Sequence, residues 1–210
     1  MRLAGRAGMA GALLGLLLAQ DALAGVVTVT IRSAAGAPAS DAVVVFDPLD
    51  TKPPAAPAPA TATIDQIQKT FVPHVTVVRT GTAVSFPNSD QIHHQVYSFS
   101  PAKPFQIDLY ARAPKSAVIF DKPGLVVLGC NIHDQMLAFV IVVDSPYFAQ
   151  TGASGSAQLN LPPGRYSLRV WHPALTAPVV PRPVEMTDAP LTLPLVLDLS
   201  GSGDAPAEWP

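Results

Sequence analysis

Gly124-Leu-Val-Val-Leu-Gly-Cys130-Asn-Ile-His133-Asp-Gln-Met136-Leu-Ala-Phe-Val-Ile-Val-Val143 is the stretch on which the reading of the chain turns. One apolar run enters Cys130, a short polar loop carries His133 and Met136, and a second apolar run leaves. Short runs of this composition bounded by Gly, Asn and Asp read as strands. A tight loop between two strands can turn its side chains toward one point. Taken singly, each residue has an ordinary reading. Cys130 could be a small buried hydrophobe or a dimerising thiol, and Met136 could be core.

Taken together they are a chemical set. Thiolate, imidazole and thioether are soft donors that favour copper, and two His with one Cys and a weak axial Met is the blue-copper arrangement. A second His must then come from elsewhere. Phe86-Pro-Asn88-Ser-Asp-Gln-Ile-His93-His94-Gln95-Val96-Tyr97 offers two adjacent candidates at the start of another strand. Zinc prefers four strong ligands in a tetrahedron, for which Met136 is a poor fourth. Cys130 is the single cysteine, so a dinuclear copper site lacks its second thiolate. A Cys/His hydrolase would need an oriented base and an oxyanion hole, and the loop shows neither. The expectation is a protein that is not an enzyme.

Composition narrows the setting. The 210 residues carry a formal net charge of −2, with 13% charged and 49% hydrophobic residues. No basic block is present to displace counterions from phosphates, so nucleic acid is not an expected partner. Arg2 and Arg6, the apolar run Ala10 to Ala19, and Ala22-Leu23-Ala24 read as a secretory signal over residues 1–24, with Gly25 the first mature residue. A membrane anchor would need roughly 20 apolar residues, and Gln20 and Asp21 end the run before that. No later segment is long enough to span, so no membrane span is expected after signal removal. The expected location is periplasmic or otherwise exported.

Proline is abundant at 23 residues and long helical periodicity is absent. Short Val/Ile/Thr/Phe runs separated by turn residues point to an all-β fold. Strands are expected at Val26–Ile31, Ala42–Phe46, Ile64–Gln68, Val75–Arg79, Ala83–Phe86, Gln95–Phe99, Ala117–Phe120, Leu125–Leu128 and Leu137–Val143. More follow near Ala157–Leu161, Arg165–Trp171, Val184–Met186 and Leu191–Leu197. Residues 51–61 are Pro/Ala-rich and read as a stiff linker. Residues 200–210 read as a disordered tail.

The segment 62–144 resembles the cupredoxins, and among them the amicyanin type. Cys130, His133 and Met136 match its Cys-x-x-His-x-x-Met loop. Phe71-Val-Pro73, Gly81-Thr82, Asn88 and His94-Gln95-Val96 match its opening strands. The resemblance implies a Greek-key β-sandwich holding one type 1 copper through His94, Cys130, His133 and Met136. His93 is the rival first ligand, and it would face the other side of a strand. Gln95 stands where the family usually has Asn, and His93 where Pro is common.

A one-electron carrier is implied, exchanging electrons through the edge of His133. Its partner would be a redox protein such as a periplasmic dehydrogenase or cytochrome c, as in the methylamine oxidation that amicyanins serve. The alternative is a copper-binding or copper-delivery protein without redox turnover. Residues 25–50 and 147–199 resemble the two halves of a carboxypeptidase regulatory-like, transthyretin-type sandwich, through Gly36-Ala-Pro38 and Leu161-Pro-Pro-Gly164-Arg-Tyr166. On that resemblance the cupredoxin is inserted into a loop of the flanking sandwich. Otherwise residues 25–50 add edge strands to the cupredoxin.

Overall fold

A computed structural model of the chain describes residues 24–52, 60–112, 116–203 and 208–209. Residues 1–23 of the expected signal segment and 53–59 of the expected linker lie outside the described residues. Within them the fold is all-β, as the sequence leads one to expect. The strands begin with β1 (Gly25–Ser33), β2 (Val43–Pro48), β3 (Thr61–Thr63), β4 (Asp65–Ile67), β5 (Thr70–Val72) and β6 (Val75–Arg79). They continue with β7 (Thr82–Ser85), β8 (His94–Ser98), β9 (Phe105–Tyr110), β10 (Val118–Phe120), β11 (Gly124–Gly129) and β12 (Leu137–Val143). The last are β13 (Phe148–Gln150), β14 (Ser156–Leu161), β15 (Gly164–Trp171), β16 (Arg182–Met186) and β17 (Leu191–Leu197). Among the described residues no helix is long and apolar enough to cross a membrane.

Four sheets stack in layers. The first has the order β14-β1-β17 and the second β13-β2-β15-β16. The third is β6-β12-β11-β8-β9 and the fourth β10-β7-β3, with β4 and β5 forming a separate hairpin. Among the described residues, β1 and β2 pair with β14, β17, β13 and β15, and with no strand from β3 to β12. The strands flanking residues 61–143 on both sides therefore share the same two sheets.

The period-2 alternation of strands assigns each side chain to a layer. Val27, Val29 and Ile31 of β1 meet Val44 and Phe46 of β2 and Tyr166, Leu168 and Val170 of β15 in one core. In β12, Ala138, Val140 and Val142 face a second core with Val84, Val96, Phe120, Val126 and Leu128. The alternate residues Phe139, Ile141 and Val143 face the other way, into a third core with Val43, Val45, Val75 and Trp171. This explains why Val43–Phe46 and Leu137–Val143 are continuously apolar. Both strands are buried on both faces, whereas β1 has one solvent-facing side. Burial of a Val, Ile or Phe side chain is worth roughly 1.5–3 kcal/mol, so the third core binds the two sandwiches firmly.

Some elements escaped the sequence reading. β3, β5, β9 and β13 were not expected as strands. The first two and β13 are only three residues long, and β9 is a half-exposed edge strand in a segment with no diagnostic motif. In the C-terminal segment 200–210, Gly201 N–H donates to Ala174 O at 3.0 Å. Trp209 packs against the third core, with the Arg169 guanidinium 4.7 Å from its ring centroid.

Candidate metal centre

Strand pairing brings the loop and the distant histidine together. β11 and β12 are antiparallel, and their last pair, Gly129 with Leu137, anchors both ends of residues 130–136. β8 pairs with β11 on its other edge, through Tyr97 opposite Gly129. A Cβ on Gly129 would lie 2.7 Å from Tyr97 Cζ, so glycine there lets the ring cross the strand beside Cys130. His94 is the first residue of β8. A register shift between His94 and Val96 in the pairing with β9 marks a bulge, a device that re-aims side chains near sites.

The result is a compact donor cluster. One ligand atom each from His94, Cys130 and His133 lies within 4.8 Å of the others. The two imidazole centroids are 4.9 Å apart with planes at 59°. His94 is 0% exposed and Cys130 3% exposed, while His133 is partly exposed. Met136 N–H donates to His133 O at 2.9 Å, and its side chain is buried in the same core as Cys130. His93 is exposed, whereas His94 is buried.

The polar atoms test whether these residues suit a metal. Nδ1 of His94 and Nδ1 of His133 are both buried without a hydrogen-bond partner. Leaving a buried polar group unsatisfied costs about 1–3 kcal/mol. Two such nitrogens beside a buried free thiol fit a soft cation. Burial, together with His94 and Lys69 nearby and against an opposing pull from Asp90, lowers the His133 pKa below its ordinary value. That direction favours the neutral imidazole, the form that binds metals.

Around the cluster runs a polar network that the sequence reading did not anticipate. His94 Nε2 lies 2.8 Å from Asp90 Oδ2. Burial pushes the Asp90 carboxyl upward, but hydrogen bonds from Lys69 N–H, the His94 ring and Gln68 N–H outweigh it and hold it below its usual value. Asn88 Nδ2 donates to Ile92 O at 2.8 Å and Tyr110 O at 3.1 Å, and its Oδ1 accepts Asp90 N–H at 3.0 Å. Tyr110 donates to Phe86 O at 2.7 Å and accepts from Gln66 Nε2. Burial pushes the Tyr110 phenol up to about 12. The only sequence cue to Asp90 was its place four residues before His94. His74 and His172 stand apart from the cluster. His74 stacks on Phe139, and His172 uses both ring nitrogens on backbone groups of Ser40 and Ala174.

No family model matches the sequence, and no curated protein matches it. Solved structures do show similarity. The copper-containing nitrite reductase of Thermus scotoductus SA-01 is 25% identical over 46% of this chain, with a TM-score of 0.37, and the match spans 25% of that enzyme's chain. The purple cupredoxin of Nitrosopumilus maritimus is 19% identical, with a TM-score of 0.35, over 39% of this chain and 99% of its own. An amicyanin mutant in its reduced Cu(I) form is 15% identical, with a TM-score of 0.36, over 48% of this chain and 98% of its own.

Proposed function

We propose that this chain is an exported type 1 copper protein that carries single electrons, with His94, Cys130, His133 and Met136 as its ligands. The observation that carries the reading is the donor cluster, in which three ligand atoms lie within 4.8 Å and both imidazole Nδ1 atoms are buried and unpartnered. Copper held by two imidazoles, a thiolate and a distant thioether exchanges one electron with little ligand rearrangement. The chain's own part is to hold these groups rigid. The Gly129–Leu137 pair anchors the loop, and the Met136 N–H to His133 O bond closes it. Buried His94, Cys130 and Met136 keep water out, while the part-exposed edge of His133 gives a partner access. The proposed partner is a periplasmic dehydrogenase or cytochrome c, reached after removal of residues 1–24.

The flanking strands are proposed to form a carboxypeptidase regulatory-like sandwich from residues 25–50 and 147–199, with 62–144 inserted. The pairing of β2 with β15 and of β1 with β14 supports that arrangement. In protein-film voltammetry of the copper-loaded chain, a reversible one-electron wave that persists through repeated cycles is expected. Loss of copper on the first reduction would favour a delivery protein instead.

A further inference from the structure

The β4–β5 hairpin turns at Gln68 and Lys69, which both have positive φ, 52° and 58°. A two-residue turn of this hand favours Asn-Gly or Gly-Gly, because the left-handed conformation disfavours residues that carry a Cβ. Neither residue here is glycine, so the turn needs an outside anchor. Asp90 provides it. Its Oδ1 accepts Gln68 N–H at 2.6 Å and its Oδ2 accepts Lys69 N–H at 2.8 Å.

The same Oδ2 lies 2.8 Å from His94 Nε2, with side-chain exposures of 0% for His94 and 14% for Asp90. A carboxylate already accepting two N–H groups is held in place and can only accept again from the ring. The imidazole then carries its proton on Nε2, and the lone pair is left on Nδ1, the buried atom without a partner. A carboxylate on the far nitrogen of a ligating His fixes tautomer and ring orientation and raises basicity.

We propose that Asp90 is the positioning residue for His94, and that the Gln68–Lys69 turn in turn positions Asp90. A hairpin remote in sequence from the Cys130–Met136 loop thus sets the donor atom of the first histidine. The role of that atom toward copper rests on the function proposed above, but the tautomer does not.

The test uses ¹⁵N-labelled chain from Gly25 onward without metal, as wild type, Asp90→Ala and Asp90→Asn. Long-range ¹H–¹⁵N spectra read the His94 tautomer, and amide exchange reads Gln68 and Lys69. Wild type is expected to show Nε2–H with slow exchange at both amides. Asp90→Ala should give mixed tautomers and fast exchange. Asp90→Asn, which keeps one accepting oxygen, should lie between them. Titration with Cu(II) should then show about 10–100-fold weaker binding for Asp90→Ala, with a shifted potential in the copper-loaded form. Wild-type His94 protonated on Nδ1 would overturn the proposal. So would a folded Asp90→Ala protein with unchanged tautomer, affinity and potential, even if it were less stable. If the tautomer behaves as expected but wild type binds Cu(II) without a thiolate band, the copper function fails and the positioning stands.

Discussion

The ring of Phe139 meets the indole of Trp171 edge-on, with centroids 5.3 Å apart and planes at 63°. Phe139 lies on β12, the strand that leaves the Cys130–Met136 loop, and Trp171 ends β15 of the flanking sandwich; both are fully buried. The contact joins the unit that carries the His94–Cys130–His133 cluster to its flank, so the two should share their stability. Phe139→Ala and Trp171→Ala should each cost about 3–5 kcal/mol, as large aromatic truncations in cores do. Urea unfolding followed by circular dichroism measures this. A Trp171→Ala loss within about 0.5 kcal/mol, as ordinary surface changes give, would mean that the interface does not couple the units.

The ligand assignment separates two neighbouring histidines. His94→Ala should abolish the type 1 spectrum, and exposed His93→Ala should leave it intact. Cys130→Ser should remove the thiolate-to-copper band altogether. A blue Cys130→Ser protein, or a site lost with His93 and kept without His94, would reverse the assignment.

How much of this was legible beforehand depended on the kind of information. The proposed ligand loop stood out because Cys130, His133 and Met136 are close in sequence and their joint chemistry is unusual. His94 over His93 followed from the resemblance, through His94-Gln95-Val96 and Asn88 six residues before it; in the structure His94 is buried and His93 exposed. The two-sided burial of β2 and β12 was not legible, since a continuous apolar run does not say what covers its second face. β9 was missed because a half-exposed edge strand has a weak pattern. Asp90 was missed for a different reason. An Asp in a turn is ordinary, and its role arises only where Gln68, Lys69 and His94 converge in space.

The proposed function makes Met136 the weak axial donor, which would tune the potential more than hold the ion. Met136→Leu conserves volume in the core and should cost less than about 1.5 kcal/mol. It should keep the thiolate band while shifting the potential. Unchanged spectrum and potential would remove Met136 from the ligand set.

Tyr166 gives the fold an alkaline limit. Its hydroxyl donates to Pro162 O at 2.8 Å, and burial, with Tyr147 beside it, pushes its pKa up to about 12. Unfolded tyrosine ionises near pH 10, so the unfolded chain releases this proton first. The stability from Tyr166 is therefore complete below about pH 10 and declines as pH rises toward 12. Urea midpoints across that range should fall less steeply in Tyr166→Phe. An identical slope would assign the alkaline loss to other groups.

The central claim is that this chain binds copper through a thiolate in a type 1 site. The most direct measurement is the visible absorption and electron paramagnetic resonance of residues 25–210 after addition of Cu(II). The account predicts an intense thiolate-to-copper band and a narrow copper hyperfine splitting. A pale, ordinary Cu(II) spectrum, or no binding, would contradict it.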